Sequence, residues 1–244
     1  MNFKQASAFI GLLATSAIAL STAPAQAFNF ASGNLSGCTT GGTSCTTNDG
    51  FNITATGGTL QSKTVNNVTG LGVTGQGVDG EINLGESINL LLPGGSGILK
   101  SLDLGFMYQP GVFGDEVWER ATVTAGGLMG YLTVQNNTTA LWEVAGLGIS
   151  QTLTALSNST QSGGGLYSIL NPFGNNVVSS VNLTPYTYST SEVPGIGTDY
   201  RNSDFSLIGA QAERAVPEPT TLAGLGIVAG LLATSRRRKA NAAS

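Results

Sequence analysis

The side chains in this sequence that can do chemistry are carboxylates, aromatic rings and two cysteines, because its 244 residues include no histidine. That absence removes Ser-His-Asp and Cys-His catalysis, histidine zinc sites and haem ligation together. The stretch "LPGGSGI" comes near a Gly-x-Ser-x-Gly elbow, but its spacing is wrong and it has no histidine to act as base. Paired carboxylates remain. Asp115, Glu116 and Glu119 in "FGDEVWER", with Glu143 in "LWEVAG", are the residues from which a glycosidase would draw its acid and base. Trp118 and Trp142 stand beside them, and with Tyr131 and Tyr108 they are the candidate platforms for sugar rings. The competing reading makes the acids a solvated face and the tryptophans core. Nothing in the spacing gives one carboxyl a raised pKa, so the expectation is a protein without enzymatic activity.

The same acids suit a hard cation. Asp79 and Glu81 in "VDGEI", and Asp115 and Glu116 in "FGDE", with Asp204, supply oxygen ligands of the kind Ca²⁺ takes. None of these segments matches an EF-hand loop. No cofactor or metal is expected from the sequence, with Ca²⁺ the ion these acids would suit. Cys38 and Cys45 in "GCTTGGTSC" are expected to pair as a disulfide in an exported chain, their spacing matching no zinc pattern.

These residues need a scaffold, and the patterning is that of strands. Turn signals recur at the intervals of a sandwich or barrel. Leu102, Leu104 and Phe106 alternate with Ser101, Asp103 and Gly105, the period of two of a half-buried strand. Val117–Ala125 alternates likewise, and "GLMGYLTVQ" and "TTALWEVAG" flank the turn segment "NNTT" as a hairpin. "NNVVSSVNLTPY" is expected to place Val177, Ser179, Val181 and Leu183 on one face, and "DFSLIGAQAE" closes the domain with Phe205 and Leu207 inward. Around ten short strands without a soluble helix predict an all-β fold, a jelly-roll-type β-sandwich over 28–208. An immunoglobulin-like sandwich is the alternative, although the Cys-Trp-Cys spacing of antibody domains is absent. Residues 209–216 are expected to form a linker.

The body from Phe28 to Val216 carries thirteen acids against five bases, a net charge of −8. An acidic, Lys-poor domain is a poor partner for nucleic acid, whose phosphates need cations. Half of the chain's cations lie at its two ends. Lys4 followed by an apolar run from Ala8 to Leu20 and by Ala25-Gln26-Ala27 predicts a signal peptide over 1–27, cut by signal peptidase after Ala27.

At the other end stands "VPEPTTLAGLGIVAGLLATSRRRK". Thr220 to Thr234 carries no charge, but as a helix it spans only about 22 Å. A bilayer core of ~30 Å usually takes ~20 apolar residues. The stems of Arg236 and Lys239 extend that reach by snorkelling. Arg236, Arg237, Arg238 and Lys239 favour the cytoplasmic side, which leaves the body outside. The run has no polar face and contains Gly224, Gly226 and Gly230, so a soluble amphipathic helix is disfavoured and a single short C-terminal transmembrane helix is expected.

A signal peptide at one end, with Pro217-Glu218-Pro219, a short apolar helix and an Arg/Lys cluster at the other, resembles the PEP-CTERM proteins. The resemblance covers the sorting tail over 217–239, followed by 240–244 as a disordered tail. It implies recognition by exosortase, a membrane-embedded cysteine protease of bacteria that make extracellular polysaccharide. Pro217, Glu218 and Pro219 are then recognition elements, the anchor is transient, and the product passes to the cell envelope or the extracellular matrix. The expected role of the body is structural or exopolysaccharide-associated. The alternatives are a carbohydrate-binding module, Ca²⁺-stabilised, and further off a glycoside hydrolase.

Overall fold

The computed structural model describes residues 25–30, 35–75, 80–196 and 202–214. Among them every regular element is a strand except one short 3-10 turn, Pro93–Gly95. The strands form two sheets. The first runs in the order β12 (Tyr167–Leu170), β7 (Gly97–Gly105), β15 (Ser206–Arg214), β5 (Val68–Thr74) and β4 (Thr59–Val65). In this sheet β1 (Gln26–Asn29) pairs with β15, and β13 (Val177–Val178) pairs with β7. The second sheet runs β11 (Ile149–Thr154), β10 (Thr139–Val144), β9 (Leu128–Val134), β8 (Arg120–Ala125), β14 (Ser180–Pro185), β6 (Ser87–Leu91), β3 (Asn52–Thr56) and β2 (Ser44–Thr46). All of these pairings are antiparallel. The described residues therefore form an all-β domain of two antiparallel sheets, the architecture of a β-sandwich.

Alternation decides what each sheet buries. Ala121 and Val123, Leu132 and Val134, Ala140 and Trp142, and Val181 and Leu183 turn inward from four neighbouring strands of the second sheet. Leu60, Leu71, Leu99, Leu102, Leu104, Phe205 and Leu207 answer them from the first, and one continuous apolar cluster results. Each fully buried Leu, Ile or Val contributes on the order of 1.5–3 kcal/mol. Two register shifts interrupt the β7–β15 ladder, between Leu207 and Gly209 and between Gln211 and Ala212. Such bulges turn a strand locally. Beyond the end of β7, Phe106 sits at φ +59° and packs with Tyr108 and Ile208 in a second small cluster.

Three expectations meet a different structure. Val177 does not share a face with Val181 and Leu183: it is exposed on β13 in the first sheet, while β14 belongs to the second. The chain changes sheets at Ser179, so a single alternation cannot run through it. Residues 209–214, expected to be linker, continue β15 to Arg214 and pair with β7. Their apolar members are alanines, buried in the core cluster, with Ala210 paired to Phe28 of β1. The signal-peptidase cut expected after Ala27 would fall inside β1. Cys38 and Cys45 form the expected disulfide, with Cα atoms 5.1 Å apart. Among the described residues no helix is long and apolar enough to cross a membrane. The expected transmembrane helix, the sorting motif and the signal peptide up to Pro24 lie outside the described residues.

Candidate functional site

Glu119 immediately precedes β8, and alternation with Trp118 and Arg120 turns it inward until it is 1 % exposed. Its backbone is fixed on both sides, donating to the Tyr108 carbonyl at 3.2 Å and accepting from the Val134 amide at 2.9 Å. Its side chain accepts the Asp204 amide at 2.7 Å, just ahead of β15. Asp115 arrives from the turn that joins β7 to β8, whose Gly111 amide bonds the Asp115 carbonyl. Carboxyl oxygens of Asp115, Glu119 and Asp204 thus converge within 4.8 Å of one another. A cavity of about 90 Å³ opens beside them, lined by Lys63, Glu81, Tyr108, Phe113, Asp115 and Asp204.

Three negative charges so close are costly. At an effective dielectric of ~20, a like pair separated by 4.8 Å repels by about 3.5 kcal/mol. Burial pushes the Glu119 carboxyl well above the usual range, with the charges of Asp204 and Asp115 adding to it. Asp204 is raised for the same first reason, then by Glu81 and Asp115. Asp115 is pushed up to about 6 by burial and by Glu81, with Lys63 and the Glu119 side chain pulling the other way. Glu81 is raised by burial although Lys63 bonds it at 2.6 Å. The Lys63 ammonium also lies 5.2 Å from the centre of the Phe106 ring. One buried oxygen, Asp115 Oδ2, has no hydrogen-bond partner. The cluster therefore needs either shared protons or a cation.

A second feature lies on the outer face of the second sheet. The Arg120 guanidinium sits in the corner formed by Tyr131, 4.3 Å from its ring centre, and Tyr186, at 4.2 Å. Tyr186 meets Tyr131 and Tyr188 edge to face, at 5.8 and 4.9 Å. The Tyr186 hydroxyl donates to Glu192 at 2.8 Å, and the Tyr188 hydroxyl to the Trp118 carbonyl at 2.7 Å. Between β9 and β10, Tyr131 and Glu143 are paired across the ladder. With Val144, Gly146 and Ser150 they line a concavity of about 410 Å³.

Of the residues singled out from the sequence, Asp115, Glu119 and Asp204 come together, and Glu81 shares their cavity. Glu116 is exposed and outside the cluster, Glu143 is exposed on β10, two strands away from β8 in the same sheet, and Asp79 lies outside the described residues. Trp142 is wholly buried: its indole donates to the Pro172 carbonyl at 3.0 Å and its ring meets Phe173 edge to face. It is a core residue and no sugar platform. Tyr108 is buried at the acid cavity, where burial raises its hydroxyl to about 12. Trp118 is 39 % exposed and Tyr131 is partly exposed, so both remain open to a ligand. Arg120 and the pair Tyr186 and Tyr188 were missed. The two-residue spacing in "PYTY" is the signal that would have placed two rings near each other.

The fold and its surfaces define an acidic two-sheet β domain with no helix among the described residues. Immediately after its last strand, residues 215–239 match the family model described as the PEP-CTERM protein-sorting motif. The chain thus carries an exosortase sorting signal, which implies export and processing at the membrane. No curated protein matches this chain, and no solved structure does.

Proposed function

We propose that this chain is a non-enzymatic component of the cell envelope or extracellular matrix, sorted by exosortase, whose β domain has a structural or exopolysaccharide-associated role. The observation that carries the reading is the sorting motif at 215–239, which follows directly on the strand that ends at Arg214. The jelly-roll assignment is part of it. It is supported by the way the chain crosses between sheets after β1, β3, β5, β6, β7, β11, β13 and β14. Mass spectrometry of envelope and secreted fractions tests the processing: peptides should end near Pro217-Glu218-Pro219. Mature protein that still carries Arg236 to Lys239 would overturn it.

A second reading, a Ca²⁺-stabilised carbohydrate-binding module, is favoured by the buried carboxylates. Asp115, Glu119 and Asp204 form an all-oxygen donor set that suits Ca²⁺ better than a softer metal. The orphaned Asp115 Oδ2 is available as a ligand atom. The same geometry disfavours a glycosidase. The acid and base of that reaction stand ~5–9.5 Å apart and flank an accessible bond, whereas these oxygens crowd together and Glu119 is closed to solvent.

A further inference from the structure

We infer that the concavity between Tyr131 and Glu143 is a binding site for a neutral polysaccharide, with the Tyr131 ring as its stacking wall and Arg120 as the residue that holds this wall in place. The inference rests on the polysaccharide-associated reading above and gives it a location and a ligand class. A volume of about 410 Å³ is the size of an ordinary small-ligand site. One wall is an aromatic ring, which offers an apolar face to sugar C–H groups while its hydroxyl donates to Met129 Sδ at 2.9 Å. Glu143 is exposed and lies opposite Tyr131, where its two oxygens can accept from sugar hydroxyls, and Ser150 adds a group that both donates and accepts.

The choice of a neutral ligand follows from charge. No Lys or Arg lines the concavity, while Glu143 does. A polyuronate would bring further carboxylates to a carboxylate, on a domain whose net charge is already negative. Arg120 does not supply the missing cation. It comes from β8, while the concavity is built from Tyr131 of β9 and from β10, β11 and the turn between them. Arg120 covers the Tyr131 ring by a cation–π contact and is itself backed by Tyr186. A ring pinned in this way loses less freedom when a sugar stacks on it, which favours binding.

The test is a binding titration of the full chain, held in a sugar-free zwitterionic detergent, against cello-, malto- and laminari-hexaose, with polygalacturonate as the charged comparator. Wild type is expected to bind at least one neutral hexaose and to bind polygalacturonate more weakly. Tyr131→Ala should lose tenfold or more in affinity and Tyr131→Phe less than threefold, while Glu143→Gln weakens binding by an intermediate factor. Arg120→Ala should weaken it with thermal stability followed in parallel. Wild-type binding that survives in Tyr131→Ala, or that is lost only in Trp118→Ala, overturns this site and leaves the broader reading standing. Preference for polygalacturonate overturns the neutral ligand. Binding to none of the four, with the fold intact, overturns the site and the polysaccharide association alike.

Discussion

Gln26, the first residue of β1, lies directly opposite Ala212 in antiparallel register, two residues before β15 ends. The chain therefore enters and leaves this domain at neighbouring points on one end of one sheet. A signal-peptidase cut after Ala27 would remove the first two of the four paired positions of β1. Ala23 and Ala25 satisfy the same small-x-small rule one step earlier, and a cut there leaves the strand whole. The expected mature N-terminus is Gln26. N-terminal peptide mapping by mass spectrometry checks this, and a product beginning at Phe28 refutes it.

The carboxylate cluster sets a pH dependence with a definite sign. The folded state holds protons on Asp115, Glu119 and Asp204 more tightly than the unfolded chain does. Their contribution is complete below the ordinary carboxylate pKa and is lost as pH rises through the folded value. For Asp115 that window runs from the ordinary aspartate value of 3.8 to about 6. With solvent screening allowed for, its share is on the order of 1–2 kcal/mol. The melting temperature should fall between pH 4 and pH 7, and a melting curve that rises across that range contradicts the assignment.

Calcium should replace the protons. At neutral pH, millimolar Ca²⁺ is expected to raise the melting temperature, and at pH 4 to do little, because the ligands are then protonated. Asp204→Asn removes one ligand and part of the repulsion, so it should raise the metal-free melting temperature and abolish the calcium response. Differential scanning fluorimetry with and without chelator reads both.

Trp142 should behave as core. Trp142→Ala is expected to cost about 3–5 kcal/mol, the range of aromatic truncations in packed interiors. Gly130→Ala should also destabilise, because a Cβ there collides with the Trp142 ring. A Trp142→Ala variant that melts like wild type would return this residue to the list of surface aromatics.

Removing the Cys38–Cys45 disulfide closes off one further question. Its short loop predicts a loss of about 2.5 kcal/mol in the double serine variant, measurable by urea titration.

Much of this architecture was legible because burial in a half-exposed strand is a parity. Leu102 and Leu104, Phe205 and Leu207, and Trp142 between Ala140 and Val144 all fall inward as alternation requires. The strand over 209–213 was read two ways, inside the closing segment "DFSLIGAQAE" and as linker, since glycine, alanine, glutamine and glutamate carry little β signal and owe their conformation to β7 and β1 on either side. The acid cluster was legible in its members and not in its assembly. Asp204 reaches Glu119 across 85 residues of chain, and only the sheet order brings the two ends together. The Arg120 cluster was hidden for a similar reason, as Tyr131 lies on β9 and Tyr186 directly follows β14, on opposite sides of β8.

The last strand of the domain is not an edge strand: β15 lies between β7 on one flank and β5 with β1 on the other. A force applied to the tail, as an enzyme holding Pro217 would apply, loads β15 along its own length. Its hydrogen bonds run across that direction. The rungs on both flanks then share the load in shear, where an edge strand would peel one rung at a time. With only Ala215 and Val216 between Arg214 and Pro217, the domain should bear traction at its own boundary while it stays folded.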